Sequence, residues 1–125
     1  MKTEIKTAST PQAIGPYSQA IEANGLVFVS GQIAGDPSTG ELQPGSIEEE
    51  TRLALSNLKG IIEAAGYSMA DVIKCNVYLK DMGDYMGMNK AYGDFFSPPF
   101  PARVALQVAR LPKDARVEIE AIAVK

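Results

Sequence analysis

A chain of 125 residues, 46% hydrophobic and 22% charged, has the size and make-up of one globular domain spanning residues 1–125. Its net charge of −3, with Lys and Arg scattered singly, offers no basic patch, so a nucleic-acid partner is disfavoured. The lack of histidine, with Cys75 as the single cysteine, excludes a Cys/His zinc site, Ser-His-Asp and Cys-His catalysis, and a ribonuclease mechanism built on a histidine acid–base pair.

The opening residues, MKTEIKTASTPQ, contain no apolar signal core, and nowhere does the chain approach the roughly 18 consecutive apolar residues of a membrane span. One unpaired cysteine fits a reducing compartment, so the expected location is the cytoplasm, or a mitochondrial matrix in a eukaryote. Residues 1–18 are polar and turn-rich, punctuated by Pro11, Gly15 and Pro16. Two strand-like runs, 19–23 and 26–30, flank Asn24-Gly25, a pair that favours the type I′ turn of a β-hairpin. Residues 36–40 read as a surface turn.

Ser46 with Glu49 three residues later forms a capping box, and Ile47, Ala54, Leu58, Ile61 and Ala65 recur at helical spacing. This predicts a helix over 47–65, with Gly66 as the left-handed residue that ends it. Residues 71–79 (DVIKCNVYL) predict a strand. A second helix is predicted over 84–96, with Tyr85, Met88, Tyr92 and Phe95 on one face, Asn89 on its flank and Ser97-Pro98-Pro99 as its stop. The last quarter reads as two apolar strands around a turn, placing Arg103 and the glutamates on neighbouring strands. The predicted fold class is therefore α+β, a sheet with two helices on one face. In the last strand Glu118, Glu120, Ile122 and Val124 share the face left open, so that face is expected to be hidden against another copy of the chain.

Charges in these strands are the candidates for chemistry, because an unpaired buried ion costs several kcal/mol. Arg103 reads either as the partner of a carboxylate such as Glu120 or as a bidentate clamp for a substrate carboxylate. Such a clamp would supply roughly 1.5–3 kcal/mol per charge-assisted bond. Glu118 and Glu120, roughly 7 Å apart on one strand face, read as a glycosidase-like pair, as one water-holding and one structural carboxylate, or as an exposed edge pair. Tyr17, on the stiff turn Ile14-Gly15-Pro16-Tyr17-Ser18, either caps the sheet or presents its hydroxyl to a ligand. Ser30-Gly31-Gln32 either bulges or lets a ligand approach the backbone at Gly31. Cys75 reads as a small buried apolar residue.

The segments IGPYSQA at 14–20, VSGQI at 29–33, PAR at 101–103 and VARLPKDARVEIEAIAV at 108–124 resemble the RidA family, also called YjgF. The likeness runs from about Thr7 to Val124. It implies a chorismate mutase-like α+β protomer in a homotrimer, with sheets inside, helices outside and ligand clefts between subunits. It further implies hydrolysis of reactive 2-imino or enamino acids, 2-iminobutanoate and 2-iminopropanoate, to 2-keto acids and ammonia, with neither cofactor nor metal. By that likeness Arg103 binds the substrate carboxylate and Glu118 holds the attacking water, kept ionised by Arg103 nearby. Tyr17, Ser30, Gly31 and Asn89 line the cleft. Ala105 stands where many members carry a cysteine, so it offers only its backbone to a ligand. The alternatives carried with this reading are a non-catalytic carboxylate-binding or chaperone-like trimer and, less favoured, an endoribonuclease or translation inhibitor.

Overall fold

A computed structural model describes residues 1–125. Six strands form one mixed sheet: β1 (Thr3–Ile5), β2 (Ala20–Ala23), β3 (Leu26–Gln32), β4 (Val72–Leu79), β5 (Ala102–Gln107) and β6 (Val117–Val124), in the order β1-β2-β3-β6-β4-β5. The β4–β5 pair is parallel and every other pair antiparallel. Helix α1 (Ile47–Ala64) follows β3, and α2 (Tyr85–Tyr92) makes the crossover that a parallel β4–β5 pair requires.

The local signals act as the physics dictates. Asn24 and Gly25 both take positive φ, 53° and 80°, and join β2 to β3 directly. The Ser46 hydroxyl accepts from the Glu49 amide at 3.1 Å while the Glu49 carboxylate accepts from the Ser46 amide at 2.9 Å. Gly66, at φ 83°, ends α1. The apolar stripe of α1 lies against β6 and β3, with Leu55, Leu58, Ile61 and Ile62 fully buried.

Alternation along the strands divides the sheet. Val27, Val29, Cys75, Val77, Leu79, Val117, Ile119, Ala121 and Ala123 are buried beneath the two helices. The opposite face is open and mixed in character. Phe28, Val104 and Leu106 are 44%, 42% and 40% exposed there, beside half-buried Tyr78, Glu118, Glu120 and Ile122. This is the face that the sequence leads one to expect hidden against another copy of the chain.

Glu50, in the first turn of α1, is a buried carboxylate with a long-range task. It accepts from the Arg116 amide at 3.0 Å and the Gly45 amide at 3.4 Å, and stands 3.7 Å from Arg116 Nε. The Arg116 guanidinium also reaches the Gly45 carbonyl at 3.0 Å and Asp84 at 3.6 Å. Helix α1, the start of α2 and the start of β6 are thus tied at one point.

Four expectations are corrected. β1 adds a strand where a turn-rich segment was expected; three residues are too few for a visible period. Asp71 belongs to a 3₁₀ turn, Met69–Asp71, and not to the strand. α2 is shorter than expected, ending at Tyr92 and preceded by a second such turn, Met82–Asp84. Finally, β5 and β6 are not neighbours, because β4 lies between them and pairs with both.

Candidate active site

The expected site residues fall into two groups on opposite sides of the sheet. The first surrounds Glu118. In β3, Val29 pairs with Ala121 but Gln32 pairs with Ile119, so Ser30 and Gly31 bulge outward. The Glu118 carboxylate fills the space that a side chain at residue 31 would occupy: a Cβ built on Gly31 would overlap Oε2 and lie 2.9 Å from Cδ. This bulge is part of the wall of a cavity of ≈ 640 Å³, lined among others by Tyr17, Gln19, Ser30, Gly31, Lys113 and Glu118. The Ser30 hydroxyl donates to the Ser18 carbonyl at 2.6 Å, so its visible work is to fix the loop beside it. Tyr17 is 54% exposed and its Oη accepts from the Ile14 amide at 3.4 Å, which holds the phenol at the cavity rim rather than over the sheet.

Glu118 makes no hydrogen bond or ion pair within the chain, and burial, with the nearby charge of Glu120, pushes its carboxyl above the usual range. The Arg103 of the same chain lies on the other side of the sheet, so the expected influence of a nearby Arg103 that would keep Glu118 ionised does not come from within one chain. Glu120, two residues on, is engaged. It accepts from Tyr78 Oη at 2.8 Å and Asn76 Nδ2 at 3.3 Å, and the first of these bonds pushes the Tyr78 phenol upward. The suggested Arg103–Glu120 ion pair does not form.

The second group surrounds Arg103, whose neighbour across the parallel pair is buried Cys75, so its side chain lies on the helix-bearing side. Its guanidinium carbon is 4.7 Å from the Tyr92 ring centre and 5.6 Å from that of Tyr85. Nη2 donates to Tyr85 Oη at 3.1 Å, and Nη1 stands 3.9 Å from Met88 Sδ. No carboxylate lies within ion-pair distance of it. Asn89 is beside Tyr85 and, with Arg103, pulls that phenol below its usual range. Ala105, two residues along β5, packs against the core next to Val77. Burial pushes both Cys75 and Tyr92 upward, which leaves the thiol protonated and un-nucleophilic.

Two functional elements went unseen in the sequence. Gln19, 4% exposed, donates through Nε2 to the Thr7 and Pro11 carbonyls and to Thr10 Oγ1, at 3.2, 2.8 and 3.0 Å. With the Thr7 amide on its Oε1 at 2.8 Å, it fixes the loop that carries Tyr17. The spacing of Tyr85 and Tyr92 signals one helix face, but nothing in the sequence shows that an arginine lies upon it.

Because residue 31 has ordinary φ and no room, Gly31→Ala tests the placement of Glu118 alone. It should keep the fold, as judged by far-UV circular dichroism. By swinging the carboxylate aside by about 1 Å it should reduce the turnover assigned to this site about 10²-fold.

The family model described as Endoribonuclease L-PSP matches residues 7–125. A RutC family protein of Pyrococcus horikoshii is 56% identical over 125 residues, covering 100% of this chain and 99% of that protein. A 2-iminobutanoate/2-iminopropanoate deaminase of Capra hircus is 49% identical over 121 residues, covering 97% of this chain and 88% of the relative. Among solved structures, Escherichia coli TdcF with bound serine superposes with a TM-score of 0.92 at 45% identity, covering 98% of each chain.

Proposed function

We infer that this chain, which belongs to the RidA/YjgF family, hydrolyses reactive 2-imino acids, 2-iminobutanoate and 2-iminopropanoate, to 2-keto acids and ammonia. The observation that carries the reading is a pair of half-buried charges without counter-ions, Arg103 and Glu118, held on opposite faces of one sheet. A charge kept half-buried without a counter-ion is a charge kept for a ligand. Relatives named as deaminases of these imines at 45–49% identity support the same activity.

Within one chain the two groups face away from each other, so the complete site needs Arg103 from one copy and Glu118 from another. The assembly we propose is a chorismate mutase-like homotrimer whose open sheet faces pack inward. It would cover Phe28, Val104 and Leu106 and bring a neighbour's Arg103 to the cavity of Glu118. That neighbour would also oppose the influences that push Glu118 upward. The expected setting is the cytoplasm, where such imines would be cleared before they damage other enzymes.

In the reaction, the Arg103 fork holds the substrate carboxylate, and Asn89, Tyr17, Ser30, Gly31 and Ala105 shape the space around it. Glu118 holds a water and accepts its proton as oxygen bonds to the imine carbon; the C=N π pair moves to nitrogen, which takes up a proton from solvent. Collapse of the carbinolamine then breaks the C–N bond, as Glu118 returns its proton to the leaving ammonia and the hydroxyl proton passes to solvent to form the ketone, which restores the carboxylate and leaves no net proton gained or lost. The carbon is electrophilic from the start, so positioning and proton transfer are the whole task.

The test is a coupled assay in which threonine dehydratase generates 2-iminobutanoate and semicarbazide competes for it. Suppression of semicarbazone formation by the wild-type chain is the expected result. Undiminished semicarbazone at saturating protein, or a monomeric mass by light scattering, would sink the reading.

A further inference from the structure

We propose that Tyr85 is a positioning residue for the carboxylate clamp, and that ionisation of its phenol sets the alkaline limit of ligand binding. This rests on reading Arg103 as the clamp, but not on turnover. The argument begins with the guanidinium. It presents five N–H donors in a rigid fork at the end of a long, rotamer-rich side chain. Stacking near the rings of Tyr92 and Tyr85, at 4.7 and 5.6 Å, restricts its motion normal to the plane but leaves it free to turn within it. The in-plane direction is set by one oxygen, Tyr85 Oη, which accepts from Nη2 at 3.1 Å. Met88 Sδ, 3.9 Å from Nη1, is a weak acceptor. With those two donors turned toward α2, three remain, enough for a bidentate carboxylate.

A neutral phenol oxygen is the right partner for that work. It orients the fork without cancelling its charge, which an aspartate or glutamate at residue 85 would do. The arrangement holds only while the phenol keeps its proton. Asn89 and Arg103 both favour the phenolate and draw Tyr85 below its ordinary value. Once ionised, Tyr85 becomes an anion in direct contact with the guanidinium and competes for it with the substrate carboxylate.

The surrounding groups leave Tyr85 as the switch. Arg103 of β5 is the charged group whose field acts on it. Asp84, one residue earlier, pairs with Arg116 at 3.6 Å, and Glu48 of α1 meets α2 at Gly87. Burial pushes both Tyr92 and Cys75 upward, opposite to the direction in which Tyr85 is drawn. Glu118, raised from a carboxylate value, acts on the acid side.

The experiment measures equilibrium binding of 2-oxobutanoate, a stable keto acid, to the full chain by isothermal titration calorimetry from neutral pH to about pH 10.5. For the wild type, Kd should stay level and then rise, at most about tenfold per pH unit, above the phenol pKa. Tyr85→Phe keeps the ring and should raise Kd at neutral pH about three- to tenfold, with no alkaline rise. A third protein, carrying 3-fluorotyrosine at residue 85, has a more acidic phenol and should show the rise at lower pH. An unchanged neutral Kd in Tyr85→Phe, persistence of its alkaline rise, or an unmoved rise in the fluorinated protein would each overturn the proposal. Binding that follows this pattern in a chain without imine hydrolysis would sustain Tyr85 and remove the deaminase reading. Hydrolysis with an alkaline limb indifferent to Tyr85→Phe would do the reverse, and a wild type that does not bind 2-oxobutanoate overturns both.

Discussion

Replacing Glu118 with glutamine should lower kcat for imine hydrolysis about 10²–10⁴-fold, the range for removal of a positioned general base. The substitution keeps size and hydrogen-bonding capacity but cannot take a proton, and no hydrogen bond within the chain depends on the carboxylate. Binding of 2-oxobutanoate should therefore change little, placing the loss in turnover rather than affinity. The same residue sets the acid side of the pH profile. A base must be ionised, so activity is present above the Glu118 pKa and lost as pH falls through it. Within one chain burial first, and the charge of Glu120 second, push Glu118 upward, and the neighbour's Arg103 opposes both. Glu120→Gln removes the second cause and should shift the acid limb downward, an effect read from kcat/KM against pH. A limb that does not move would mean that Glu118 is not the group being titrated.

Arg103→Ala should be equally severe for a different reason. Two charge-assisted bonds to a carboxylate are together worth about 3–6 kcal/mol, so kcat/KM should fall about 10²–10⁴-fold, with affinity for 2-oxobutanoate falling in step. Arg103→Lys keeps the charge but not the fork and should recover only a small part. The fold should survive both, since the packing lost is an aromatic stacking contact on edge strand β5. Mixing the two inactive chains supplies a sharper measurement. If the groups meet across a subunit boundary, co-refolding Arg103→Ala with Glu118→Gln in equal amounts restores about one complete interface in four of a homotrimer. Activity in the mixture, absent from either chain alone, is the expected outcome; a silent mixture would overturn a site shared between subunits.

Much of this was legible because the signals are local. The capping box of Ser46 and Glu49, the Asn24-Gly25 turn and Gly66 each act within a few residues, and each is found in place. Glu118 and Arg103 stood out because a charge inside an apolar strand contradicts its surroundings. What the residues could not disclose was which strands would be neighbours. Pairing is decided by distant surfaces: β4 inserts between β5 and β6, so Arg103 and Glu118 stand two strands apart, and alternation sets them on opposite faces of the sheet. The same non-local choice delivers Arg103 to the Tyr85–Tyr92 face of α2, whose helical spacing was plain but whose partner was not. β1 stayed hidden because Thr3–Ile5 is too short to declare a period.

Glu50 has a bearing on how this protein would fail. It binds the Arg116 amide from the far side of the sheet, and Arg116 lies two residues ahead of Glu118. The depth at which the Glu118 carboxylate enters its cavity is thus indexed to the first turn of α1, an element that does not line that cavity. First turns fray more readily than the body of a helix. On warming, the chain would therefore lose its chemistry while nearly all of its helix and sheet remained intact, and the temperature at which it stops working would lie below the temperature at which it unfolds.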